Sequence, residues 1–307
     1  MMDGVRCAGS SSGQQYCGSD SGFVMRAQIA HTTLYQYPQD AWDSHNQIRL
    51  QPCEDERQSV LTSGLEVIAI TAAGREEWIA TASHLDYFGT VVHQAHALEA
   101  HRILRIRAIS SVMTQAAPIL ESVSVQSLEP LMERWNEFLE STQRVNLTRD
   151  WLALLSWYAP ESGYDLVKYL NDLNRHLHSR FVYSPGATLV NTPLEEFVLT
   201  GQGVCQDYAH AMLAVCRRVR LPARYVSGYI DAGADFVGAA ATHAWVECLI
   251  PGAGWVGFDP TNCTLAGEAH VKIGHGRDYD DVPPIRGVRR GGGRETLGVN
   301  VSMEAEQ

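Results

Sequence analysis

The sequence predicts an α+β protein in which an all-β amino-terminal part precedes a central helix and an antiparallel sheet. From about residue 24 to about residue 112, apolar and polar residues alternate as they do in half-buried strands. Between residues 128 and 219, apolar residues recur every three or four positions, which indicates helices. Strand patterns return after residue 222, and this segregation of helices and antiparallel strands is typical of the α+β class.

These patterns divide the chain into three segments. Residues 1–22 are rich in glycine and serine and show no periodicity, so they cannot bury enough apolar surface to offset the entropy of ordering. We therefore predict a disordered leader over residues 1–23, an all-β domain over residues 24–115 and an α+β domain over residues 116–307. In the all-β domain the alternating residues include Ile29, His31, Thr33, Tyr35 and Tyr37.

Three helices are predicted ahead of the central one. The first falls between Leu128 and Leu155, with one apolar side formed by Leu131, Trp135, Phe138 and Leu139. The second runs from about Tyr164 to Phe181, and its apolar stripe consists of Leu166, Leu170, Leu173 and Leu177. A short helix with Pro193 in its first turn then leads to Gly201.

The central helix begins at a cysteine. A turn at Gly201-Gln202-Gly203 delivers Cys205 to the start of a helix that Pro222 closes. Unpaired N–H groups and the dipole at a helix start favour a negative charge, and a thiolate is such a charge. Most cysteines are small buried hydrophobes, and we interpret Cys216 on the apolar face as one of these.

A histidine and an aspartate follow on two predicted strands. The strands cover residues 223–230, 242–250 and 254–259, with a Pro251-Gly252 turn between the second and third. His243 opens one strand and Asp259 closes its antiparallel neighbour, so the two side chains can meet. Thiol acyl transfer requires such a set, because the imidazole takes the thiol proton and the carboxylate orients the imidazole.

Each of these residues also has a simpler interpretation. His243 could be a hydrogen-bonded core histidine, and Asp259 before Pro260 could be a turn residue. We assign Asp207 and His210, beside the cysteine, to helix-start charge and packing. A solvated side chain is the simplest interpretation of Glu247. The joint occurrence of Cys205, His243 and Asp259 is what favours an active site.

Composition narrows the classes of partner. The formal net charge of -11 argues against nucleic acid or an anionic membrane. Apolar stretches are far shorter than the ~20 residues of a membrane helix, and no secretory signal is recognisable. Seven cysteines without a CxxC pair suggest a reducing cytoplasm. Neither a phosphate-binding glycine motif nor a metal-ligand cluster is found, so no cofactor and no metal are predicted.

Four stretches resemble the bacterial transglutaminase-like family of the papain-like thiol fold: GVCQDYAHAML, LPARYVSGYI, THAWVECLIPGAGWVGFDPTN and GRDYDDVPPIRG. AHTTLYQYPQDAWDSHNQIRLQP and HLDYFGTVV resemble the β-sandwich domain of that family. The resemblance covers about Met25 to the carboxyl end. It implies that the catalytic residues are Cys205, His243 and Asp259, on a catalytic helix packed against an antiparallel sheet. His275 departs from the family pattern.

The expected function is acyl transfer at an amide or peptide bond of a protein or peptide, through a thioester on Cys205. The resemblance leaves the reaction open, because the family includes crosslinking enzymes, amidases, peptidases and inactive relatives. Hydrolysis is favoured, since water needs no second binding site. A catalytically silent peptide-binding module is the main alternative, and the lack of a resolving CxxC partner argues against a thiol redox enzyme. Gln202 and Gln206 are candidates for the second oxyanion donor.

Overall fold

The computed structural model describes residues 25–161, 163–231, 233 and 236–306. The predicted leader, residues 1–23, lies outside the described residues. The fold is α+β, as predicted, with two units between which the chain passes twice. The amino-terminal strands are β1 (Met25–Ile48), β2 (Gln58–Ile70), β3 (Glu76–Trp78), β4 (Thr81–Leu85), β5 (Val91–Ala97) and β6 (His101–Thr114).

Strand β1 organises the amino-terminal unit. The strand order is β3-β2-β6-β1-β5-β4. The first part of β1 pairs with β6 and its last residues pair with β5, with a register irregularity between Gln36 and Ala41. Both parts contribute to one apolar core, which accounts for the sandwich: Tyr37, Ala41, Ile48, Leu50, Val67, Ala69, Ala95, Ala97, Leu104, Ile106 and Ala108.

The carboxyl-terminal residues return to this unit. Strands β14 (Ile285–Gly291) and β15 (Thr296–Glu306) both pair antiparallel with β1. Residues 285–306, which the prediction assigned to the α+β domain over residues 116–307, therefore complete the sandwich instead. Arginine and glycine dominate β14, and one side of each strand is exposed, so neither strand shows the apolar pattern of a core strand.

The segment before the second helix is also different from the prediction. Instead of a helix between Leu128 and Leu155 there are 3₁₀ turns at Val125–Leu131 and Asn136–Phe138 and the one-turn helix α1 (Trp151–Leu154). Pro130 lies inside the first turn and cannot donate a backbone hydrogen bond, which prevents a continuous helix. Phe138 and Leu139 are nevertheless buried, as their spacing suggested.

The second unit is built around one buried helix. Its elements are α2 (Leu166–Arg180), β7 (Val182–Tyr183), α3 (Leu194–Thr200), β8 (Gln202–Gly203), α4 (Cys205–Arg218), β9 (Ala223–Ile230), β10 (His243–Ile250), β11 (Gly254–Asp259), β12 (Thr264–Leu265) and β13 (His270–Gly276). The antiparallel sheet has the order β12-β11-β10-β9-β13. Every residue of α4 except Arg218 is buried, as expected for a helix covered on all sides.

Direct hydrogen bonds join the two units. Gln58 on β2 donates to the carbonyl of Lys272 at 2.7 Å and accepts from its N–H at 2.7 Å. The Tyr229 hydroxyl donates to the carbonyl of Leu50 at 3.0 Å. Within the described ranges, no helix is long and apolar enough to cross a membrane.

Candidate active site

The position of Cys205 is set by the chain that leads into α4. Helix α3 ends at Gly201, whose φ of 72° is one that glycine adopts without strain. At Gly203 a Cβ atom would lie 2.5 Å from the Phe197 ring, so only glycine fits. The Asp207 carboxylate accepts the Val204 N–H at 2.9 Å and thereby closes the helix start. Cys205 is consequently the first residue of a rigidly held helix, and it is 9% exposed.

His243 and Asp259 meet as the strand order predicted. They lie on the adjacent antiparallel strands β10 and β11, at the start of one and the end of the other. His243 Nε2 is 2.8 Å from Asp259 Oδ2, and both side chains are buried. The alternative of a turn aspartate is partly right, because Asp259 Oδ1 also accepts the N–H groups of Thr261 at 2.9 Å and Asn262 at 3.2 Å.

The second ring nitrogen of His243 is available to the cysteine. Nδ1 is buried and makes no hydrogen bond to the described residues that meets ordinary geometry. Burial by itself would lower the pKa of His243, but the Asp259 carboxylate and then the nearby Cys205 thiol raise this pKa to about 10. In the same way, burial would raise the pKa of Asp259, but His243 holds it well below its usual range. The pair therefore favours an imidazolium beside a carboxylate.

Tyr183 is a site residue that the sequence did not reveal. A parallel bridge pairs it with Gly203, and the flanking bonds are Val182 N–H to the Gly201 carbonyl at 2.9 Å and Ser184 N–H to the Gly203 carbonyl at 2.8 Å. Its hydroxyl makes no hydrogen bond to another described residue. Burial, and then the charges of Cys205 and Asp259, raise the pKa of Tyr183 to about 12, so the hydroxyl stays protonated.

Gly238 shows how close Tyr183 is to the histidine. A Cβ atom at Gly238 would lie 2.7 Å from His243 Nδ1 and 3.4 Å from the Tyr183 hydroxyl oxygen. The two polar atoms therefore border the same small space, and only a residue without a side chain leaves it open. Tyr183 follows a short strand-like run with no motif, so spacing alone could not have identified it.

The other candidate residues lie elsewhere. The Gln206 amide already donates to the carbonyl of Val190 at 2.9 Å, and Gln202 is exposed. Glu247 is not solvated: it is buried and pairs with Arg224 at 2.6 Å and with Lys272 at 2.9 Å. His210 accepts the N–H of Tyr279 at 3.3 Å, which is a packing role.

His275 has a structural partner. It accepts a hydrogen bond at Nε2 from Arg224 at 3.1 Å, and its ring packs against Phe88 and Phe138. Burial, and then the charge of Arg224, lower the pKa of His275 to about 3. His275, which departs from the family pattern, is therefore part of the ion cluster formed by Glu247, Arg224 and Lys272.

A second histidine approaches Asp259. His270 Nε2 on β13 lies 3.3 Å from Asp259 Oδ2, and the Asn262 amide donates to the same oxygen at 2.7 Å. One side-chain atom of each of His243, Asp259 and His270 that could ligate a metal ion lies within 4.8 Å of the other two. Because both imidazole nitrogens are within hydrogen-bond distance of one carboxylate oxygen, hydrogen bonding accounts for this closeness. Sequence spacing did not single out His270.

Residues 160–260, which include all three predicted catalytic positions, match the transglutaminase-like superfamily. Residues 27–113 match the bacterial transglutaminase-like N-terminal region. An uncharacterized protein of Mycobacterium leprae is 31% identical over 287 residues, which are 91% of this chain and 99% of the relative. The chain belongs to the bacterial transglutaminase-like family.

Two further relatives of this transglutaminase-like chain carry functional names. A protein-glutamine gamma-glutamyltransferase of Pseudomonas aeruginosa is 37% identical over 98 residues, which are 29% of this chain and 14% of that protein. A solved structure from Cytophaga hutchinsonii, provisionally named a cysteine protease, covers 92% of this chain and 91% of its own with a TM-score of 0.72. Its identity is 21%, so it supports the fold.

Proposed function

We propose that this chain is a cysteine-dependent enzyme that transfers an acyl group from an amide or peptide bond through a thioester on Cys205. The observation that carries the proposal is the buried pair of His243 and Asp259 at 2.8 Å, with the free Nδ1 of the imidazole beside the helix-start thiol. The partial relative from Pseudomonas aeruginosa is named for glutamyl transfer at protein glutamine, which is consistent with a protein or peptide substrate here.

The first half of the reaction forms the thioester. His243 Nδ1 takes the proton of Cys205, and the thiolate attacks the substrate carbonyl carbon. The oxyanion is stabilised by the Cys205 N–H, which as a first-turn amide has no acceptor within the helix, and by the Tyr183 hydroxyl. The imidazolium then protonates the leaving amine, while Asp259 keeps the ring proton on Nε2.

The second half of the reaction resolves the thioester and regenerates the free enzyme. His243 removes a proton from water or from an amine, the nucleophile attacks the thioester carbonyl, and the thiol leaves with the proton restored. We favour water, because hydrolysis needs no site for a second substrate. A silent peptide-binding module would require the same cleft, but it has no use for a buried carboxylate with donors on both oxygens.

The test is trapping of the acyl-enzyme. The protein is mixed with p-nitrophenyl acetate, quenched in acid and analysed by intact mass and peptide mapping. Rapid acetylation of Cys205 is expected in wild type, and no comparably rapid acetylation is expected in Cys205→Ala. Cys263→Ala is the matched control, because Cys263 is an exposed thiol that can react without a triad. Acetylation at Cys263 alone, or none, would refute the proposed function.

The fate of the trapped acetyl group separates the two reactions. Addition of methylamine to the acetylated enzyme yields N-methylacetamide if an amine resolves the thioester. Acetate as the dominant product at millimolar methylamine would support hydrolysis. Predominant amide would support transfer and overturn our preference for water without affecting the role of Cys205.

A further inference from the structure

We propose that His270 is a positioning residue for the reaction: its imidazole fixes the Asp259 carboxylate so that Oδ2 faces His243. This inference rests on the proposed function, and it adds a positioning side chain to Cys205, His243, Asp259 and Tyr183. His270 lies outside residues 160–260, the range that matches the superfamily core. The hydrogen bonds around Asp259 support it.

Asp259 receives five hydrogen bonds that divide unevenly between its two oxygens. Oδ1 accepts two backbone N–H groups, from Thr261 and Asn262, which anchor the carboxylate to its own turn. Oδ2 accepts three side-chain donors: His243 Nε2 at 2.8 Å, His270 Nε2 at 3.3 Å and Asn262 Nδ2 at 2.7 Å. The turn alone leaves the carboxylate free to tilt about Oδ1. Donors from β13 and from Asn262 remove that freedom.

The tautomer of His270 is set by its other nitrogen. His270 Nδ1 accepts the N–H of Gly267 at 3.4 Å, and the His270 N–H donates to the Gly267 carbonyl at 2.9 Å. The ring proton therefore lies on Nε2 and is directed at Asp259. Only glycine fits at position 267, because a Cβ atom there would lie 2.7 Å from the Ala117 nitrogen.

The ring of His270 is buried and packed against Trp245. It is 6% exposed and lies edge-on to Trp245 with centroids 5.3 Å apart. Trp245 in turn stacks on His243 at 6.3 Å, so one indole contacts both imidazoles. A buried imidazole N–H needs an acceptor, and the acceptor that this ring has is the Asp259 carboxylate.

His270 also moderates the charge that Asp259 presents to His243. A hydrogen bond to Oδ2 draws on the same negative charge that stabilises the imidazolium. The titratable groups that face the pair are Cys205 on α4, Tyr183 on β7 and His270 on β13. Removal of the His270 donor should therefore strengthen the attraction between Asp259 and the His243 imidazolium. It should also leave the Asp259 carboxylate less firmly oriented.

The experiment compares three variants with wild type. His270→Leu removes the donor at similar volume, and His270→Gln keeps an amide N–H near the Nε2 position. His275→Leu is the matched control, since it removes a partly buried histidine of the same strand whose partner is Arg224. For each protein we measure kcat and KM with a p-nitrophenyl ester, the fraction of Cys205 that can be acetylated, and the pH profile of Cys205 alkylation.

We expect His270→Leu to lose about 10- to 100-fold in kcat per acetylatable site, with KM within about twofold, because a hydrogen bond to a charged group is lost. The basic limb of its alkylation profile, where His243 loses its imidazolium proton, should move to higher pH. His270→Gln should recover most of kcat and the wild-type limb, and His275→Leu should change neither. If His270 had a purely structural role, its loss would lower the fraction of Cys205 that can be acetylated and would not shift the basic limb of the alkylation profile.

Unchanged kcat and an unchanged limb in His270→Leu would overturn the inference while Cys205 acetylation in wild type still stands. Failure of His270→Gln to restore activity that His270→Leu has lost would also count against a donated hydrogen bond. Absence of acetylation in wild type would instead remove the proposed function, and the inference with it.

Discussion

Replacing Asp259 by asparagine tests the carboxylate at the centre of the site. The substitution keeps the shape of the side chain but exchanges one oxygen for an NH₂ group. If the remaining oxygen stays at the Oδ1 position, it still accepts from Thr261 and Asn262, and the NH₂ group then faces three donors. If the amide flips, the NH₂ group faces two backbone N–H groups instead. At least two buried donors lose their acceptor in either orientation.

Both stability and turnover should fall by amounts that follow from this count. Each unsatisfied buried donor costs about 1–3 kcal/mol, so the free energy of unfolding should drop by about 2–6 kcal/mol. An NH₂ group opposite His243 Nε2 forces the ring proton onto Nδ1, where it blocks removal of the thiol proton. In an enzyme triad this change of tautomer costs about 10⁴-fold in turnover.

The assay pairs urea unfolding with the pre-steady-state acetylation rate of Cys205. Asp207→Asn is the matched control, because Asp207 is a buried carboxylate beside the cysteine whose one oxygen accepts both Thr188 and Val204. That variant should keep its acetylation rate within about tenfold, since it leaves the imidazole tautomer unchanged. An Asp259→Asn protein that acetylates as fast as Asp207→Asn would refute the reasoning.

Three further predictions concern other parts of the molecule. Tyr183→Phe should lower the acetylation rate about 10- to 1000-fold by removing an oxyanion donor, yet leave Cys205 alkylation by iodoacetamide unchanged; equal loss in both would show a general defect. Met303→Ala should cost about 2–4 kcal/mol in urea unfolding because β15 buries Met303, whereas Leu297→Ala on the same strand, with Leu297 55% exposed, should cost little. Burial lowers the pKa of His31 to about 4 and of His210 and His275 to about 3, from 6.5. These histidines bind protons in acid only after unfolding, so stability should fall by up to ~4 kcal/mol per pH unit from pH 6.5 to about 4; a flat urea midpoint over that range would contradict this.

The sequence predicted best where one physical requirement determines the pattern. Strands β9 and β11 begin and end at the predicted residues, because each is rich in β-branched and aromatic residues and is bounded by proline, glycine or aspartate. The pairing of His243 with Asp259 followed from a short turn between two strands, which leaves few alternative registers. Helix α2 also matched closely, since Asp165 caps its first turn.

The sequence predicted poorly where tertiary contacts decide the outcome. The apolar residues between Leu128 and Leu155 have helical spacing, but Pro130 breaks the backbone pattern and packing against the core keeps Phe138 buried without a helix. Glu247 was interpreted as solvated because its ionic partners, Arg224 and Lys272, come from two other strands. Tyr183 and His270 reach the site by similar long-range pairings, which no local spacing encodes.

The most direct test of the account is the pH profile of Cys205 alkylation by iodoacetamide in wild type and in His243→Ala. Cys263, which is exposed in the same molecule, serves as an internal reference for an ordinary thiol. Because the pKa of His243 is raised to about 10, an imidazolium can accompany the thiolate through neutral pH. We expect wild-type Cys205 to react at pH values well below ~8.5, the pKa of a free thiol. The His243→Ala profile should move up towards that of Cys263. Coincident Cys205 profiles in the two proteins would show that His243 does not activate the thiol.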